Sequence, residues 1–140
     1  MKRALASFRL YPFADRSGLY VRVLIFATRR AMRESGVCNR GDAAAFCSVR
    51  TRADGRLLTE IGYIAVPLGD LNLNTIAHEC QHATLEFARR KRMPLPQIAA
   101  NSLKLKEWTG DPEEYLAWCL AGLVEQFVHR VKKLGLSPGI

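Results

Sequence analysis

Apolar and polar side chains alternate along the first part of the chain. In Leu19-Tyr-Val-Arg-Val-Leu-Ile-Phe26, Val21, Val23 and Ile25 fall on one face, opposite Tyr20 and Arg22. That period of two predicts a half-buried strand over residues 19–27. Residues 5–11 also read as extended, and Asp15-Arg-Ser-Gly18 supplies a turn between the two runs. A short helix is expected from Thr28 to Ser35, closed by Gly36. Two further β-like runs, Ala44 to Arg52 and Leu57 to Pro67, flank Ala53-Asp54-Gly55-Arg56. Asp-Gly between such runs predicts a hairpin.

After Pro67 the spacing of apolar residues becomes helical. A long helix follows, capped by Asp70, Asn72 or Asn74 and running to about Arg92, where Pro94 and Pro96 stop it. Residues 94–110 read as a linker. The last helix opens on three signals: Asp111 as N-cap, Pro112 at the first helical position and Glu114 three residues past the cap. It continues to Leu134, ahead of Gly135. The order is β, short α, hairpin, α, α. It predicts an α+β fold, a small and mainly antiparallel sheet packed on the two long helices. At 140 residues the chain is expected to form one domain, residues 1–140.

Composition changes this picture little. No apolar run approaches bilayer-spanning length, the longest being Tyr115 to Val124. Arg9, Asp15 and Arg16 arrive before any apolar leader develops. No membrane association is expected, and the cytoplasm is the default location. Cys38, Cys47, Cys80 and Cys119 show no paired spacing and read as free thiols. The net charge of +8 raises nucleic acid as a partner. Yet Arg29, Arg30 and Arg33, and Arg89 to Arg92, accompany no nucleic-acid motif. They read as solvated faces and helix C-termini, where cations complement the helix dipole.

The chemistry concentrates at His78-Glu79-Cys80-Gln81-His82, which holds two of the three histidines. Residues four apart share a helix face, so His78 and His82 can address one metal ion. Glu79 is turned by about 100° and can lie beside an activated water as a general base. Catalytic metal sites of this kind take three protein ligands and leave one position open. Glu114, Glu113 and His129 are the candidates for the third. Ala117, Ala121 and Gly122 follow Glu114 along one face and allow close approach of the two helices. Cys80 points away from the histidines and is expected to pack inward with Ile76, Ala83 and Phe87.

The run Ala77-His78-Glu79 with His82-Ala83, followed by Glu114 and Ala117, resembles the zincin metallopeptidases whose third ligand is a glutamate. It is similar in particular to small metallopeptidases encoded in bacterial genomes and prophages, over roughly residues 57–125. The resemblance implies a minimal zincin-like domain with Zn2+ on His78, His82 and Glu114. It further implies Glu79 as general base and hydrolysis of a protein or peptide substrate. The strand before the motif helix would pair with that substrate. The chain has no room for the second lobe that closes the cleft of large zincins. A non-catalytic zinc protein whose basic surface binds a protein or nucleic-acid partner is therefore the alternative.

Overall fold

The computed structural model of the chain describes residues 4–12, 18–37, 43–49, 59–91 and 112–136. Four strands form one sheet: β1 (Ala6–Leu10), β2 (Tyr20–Phe26), β3 (Ala45–Ser48) and β4 (Glu60–Pro67). The helices are α1 (Arg29–Ser35), α2 (Leu73–Arg90) and α3 (Pro112–Lys133). The fold is α+β, as the pattern predicts. Spatial order is β1-β2-β4-β3. β1 runs antiparallel to β2 with Phe8 opposite Val23, and β3 runs antiparallel to β4 with Phe46 opposite Ile64. Between these pairs, β2 and β4 are parallel, with Val23 beside Ile64.

The parallel pair makes the sheet mixed. A parallel neighbour requires a crossover rather than a tight turn, and α1 lies on that crossover. It packs Ala31 and Met32 against Phe26 and Ala65 on one sheet face. The other face carries Phe8, Val21, Val23, Ile25, Ile64 and Val66, over which α2 and α3 lay Phe87 and Phe127. Alternation along β2 thus feeds two separate apolar layers, with the sheet between them.

Local signals act as expected at the helix ends. Thr28 Oγ1 accepts from the Ala31 amide at 3.0 Å, and Gly36 closes α1 at φ 69°. Of the three possible caps for α2, Asn72 takes the role, its side chain accepting from the Thr75 amide at 2.9 Å. Asp70 is occupied by Arg29, whose Nη2 donates to it at 2.7 Å. The Asp54-Gly55 turn and the Asp111 cap lie outside the described residues.

Two expectations need correction. β4, the strand that precedes α2, has neighbours on both sides and offers no edge to a substrate; among the described residues the edge strand on that side of the sheet is β3. Cys47, expected as a free thiol, is held in a disulfide, whereas Cys80 and Cys119 are free and buried. No helix among the described residues is long and apolar enough to cross a membrane.

The seating of β3 depends on Gly62. A Cβ at that position would stand 2.5 Å from the Cys47 carbonyl oxygen and 2.8 Å from the Phe46 ring. Gly62→Ala must therefore push β3 away from β4, and overpacking of this kind costs about 1–3 kcal/mol. Urea unfolding of the variant checks this. A midpoint equal to that of wild type would show that β3 yields without cost.

Candidate metal centre

Packing decides where α2 points its polar side chains. Ile76, Cys80, Ala83 and Phe87 recur at the helical period and are fully buried in the core formed with the sheet and α3. That contact fixes the rotation of the helix. His78 and His82 fall on an adjacent exposed stripe, and Glu79 turns toward β3, where it is 4% exposed.

The two imidazoles face each other through their Nε2 atoms, 3.3 Å apart, with ring planes at 77°. Two nitrogens bound to one tetrahedral ion at about 2.0–2.1 Å lie about 3.3–3.4 Å apart. The pair therefore already has the separation that a shared ion requires. Glu79 Oε1 stands 3.7 Å from His78 Nε2. One ligand atom from each of His78, Glu79 and His82 lies within 4.8 Å of the other two, so this group can hold a metal ion.

The group lies in a cleft of about 510 Å³. One wall is β3 with its approach, including Ala44, Phe46 and Ser48, and the other is α2 from His78 to Arg89. A smaller hollow of about 300 Å³ shares Ala44, His78 and Glu79 and reaches Asp70 and Asn74. The metal-binding group is thus accessible from one side while the Glu79 carboxylate is sheltered.

Cys80 does not compete for the ion. Burial, with smaller contributions from Cys119 and Glu79, pushes its thiol from 9.0 up to about 12. It remains protonated near neutrality and packs into the core as its helical position predicts.

The structure does not bring Glu114 into the metal-binding group. Glu113 and Glu114 are exposed in the first turn of α3. The next residue, Tyr115, has its ring 5.1 Å from the ammonium of Lys91. His129 is exposed on α3 and is also outside the group. Tyr63 lies among Glu60, Arg22 and Tyr20, and burial raises its phenol. Neither it nor Tyr115 lines the cleft.

Two further cleft features emerge only in three dimensions. Glu86 lines the cleft one turn beyond His82 and is buried, and Phe46 from the edge strand faces the same space. The spacing His78, His82, Glu86 is visible in the sequence as two successive steps of four. No family model, curated protein or solved structure matches the chain.

His78→Ala or His82→Ala should weaken binding of zinc or cobalt by more than about a hundredfold, since even outer-sphere changes cost 10–100-fold. Isothermal titration checks this, and unchanged affinity in either variant would remove the imidazole pair as the site. The same titration on Glu113→Ala and Glu114→Ala tests the third ligand: a loss of about tenfold in Glu114→Ala alone makes Glu114 that ligand, and wild-type affinity within about threefold removes it. The raised Cys80 thiol has a pH consequence. Its contribution to stability is complete below the unfolded thiol value and is lost as pH rises toward about 12. Cys80→Ala should flatten the alkaline fall in unfolding free energy, and an unchanged slope would contradict the shift.

Proposed function

We propose that the chain is a zinc-dependent peptidase in which His78 and His82 supply two of the three protein ligands, Glu114 is the candidate for the third, and Glu79 is the general base. The observation that carries this reading is the imidazole pair at ligand separation, with a buried carboxylate 3.7 Å from one of its nitrogens. Two imidazoles with a carboxylate nearby form a donor set suited to zinc. The same residues carry the resemblance to zincins.

A bound zinc ion supplies Lewis acidity, lowering the pKa of water toward about 7 and polarising a carbonyl. Glu79 takes the proton from the attacking water and passes it to the leaving nitrogen. Its burial on the β3 side of α2 keeps the carboxylate beside the scissile bond and away from bulk solvent. Among the described residues β3 is the edge strand on this side of the sheet, and an extended peptide can lie against it as an added strand.

The presence of Glu79 separates this reading from a non-catalytic zinc protein, which needs the imidazoles but no base. Glu79→Gln should retain about one zinc per chain, as measured by elemental analysis. Its turnover of a randomised fluorogenic peptide library should fall by about 10²–10⁴-fold. Wild-type turnover by the variant would remove Glu79 from the mechanism. Loss of zinc from the variant would make Glu79 a ligand instead.

A further inference from the structure

An ionic brace joins the motif helix to the edge strand, and the hydrolytic chemistry does not use it. Glu86 accepts from Arg89 Nη1 at 3.0 Å and from Arg90 Nε at 3.1 Å. Arg89 is largely exposed, whereas the side chains of Arg90 and Glu86 are only 9% and 11% exposed. Arg90 Nη2 also donates to the carbonyl oxygen of Val49, the residue that follows β3. The Val49 amide donates in turn to the Ile61 carbonyl on β4 at 2.8 Å. A continuous series of hydrogen bonds therefore runs from Glu86, on the stripe of His78 and His82, to the end of the edge strand.

Stability alone does not account for this arrangement. Burying two charges costs desolvation that their attraction barely repays, and an apolar pair of similar volume is often as stable or more so. A guanidinium adds direction: its planar fork holds a carboxylate and a carbonyl at once in one fixed geometry, whereas the donors of an ammonium rotate on a flexible stem. Among the described residues β3 has four residues and a single strand neighbour.

We propose that Glu86 and Arg90 are positioning residues that hold β3 at a fixed spacing from His78, Glu79 and His82. The width of the cleft is thereby set, and a peptide lying along β3 presents its carbonyl beside Glu79. The occupant rests on the peptidase reading, whereas the brace itself does not.

Two variants of the full chain test the proposal. Glu86→Leu with Arg90→Met replaces the pair by apolar side chains and is expected to fold. Arg90→Lys keeps the charge but loses the planar fork that fixes Glu86 and Val49 in one geometry. Both should bind zinc at wild-type stoichiometry. In both, amide exchange over residues 43–49 should accelerate by about tenfold, while α2 exchanges as in wild type. On library peptides that the wild type cleaves, KM should rise by about tenfold with kcat changed by less than about threefold. Unchanged exchange over residues 43–49 in the zinc-loaded variants overturns the proposal, as does an unchanged KM. Accelerated exchange in a protein whose wild type cleaves no peptide upholds the brace and rejects the peptidase reading.

Discussion

The rotation of α2 about its own axis is the constraint on which the candidate site depends. Ile76, Cys80, Ala83 and Phe87 are wholly buried between the sheet and α3, and burying each large apolar side chain is worth roughly 1.5–3 kcal/mol. Turning the helix by one residue, about 100°, would expose that stripe and drive His78 or His82 into the core. The apolar contact therefore aims the imidazoles outward and Glu79 toward β3, although none of those apolar residues touches the chemistry. The same seating keeps the Cys80 thiol protonated and away from the ion, even though it lies between the two histidines in sequence.

What the sequence reveals is largely local. The alternation Val21, Val23, Ile25 identifies β2, and Thr28 with Gly36 delimits α1. The two-step spacing of His78 and His82 places both on one face whatever surrounds them. What it conceals is non-local. Strand order follows from the crossover through α1, so the parallel pairing of β2 with β4 and the edge position of β3 have no short-range signature. The partner of Arg90 is a backbone carbonyl 41 residues away, and a carbonyl carries no side-chain identity to read. The disulfide at Cys47 is concealed for the same reason, because scattered cysteines announce no pairing.

Glu114 shows how one residue can satisfy two local patterns with different consequences. Three residues beyond Asp111 it fits a capping box, and ahead of Ala117 it fits a ligand helix. Its exposure in the first turn of α3 agrees with a helix-terminal role. The Tyr115 ring beside it lies 5.1 Å from the Lys91 ammonium. The cleft that remains is bounded by the edge strand and by the motif helix. Among the described residues, its two walls are joined by the hydrogen bonds from Glu86 through Arg90 to Val49.

X-ray absorption at the zinc edge of the zinc-loaded wild-type protein tests the central claim most directly. The account predicts a first shell of nitrogen and oxygen near 2.0–2.1 Å, with the outer-shell scattering of two imidazoles and no sulfur. A sulfur shell at about 2.3 Å, or a first shell without imidazole scattering, would contradict it.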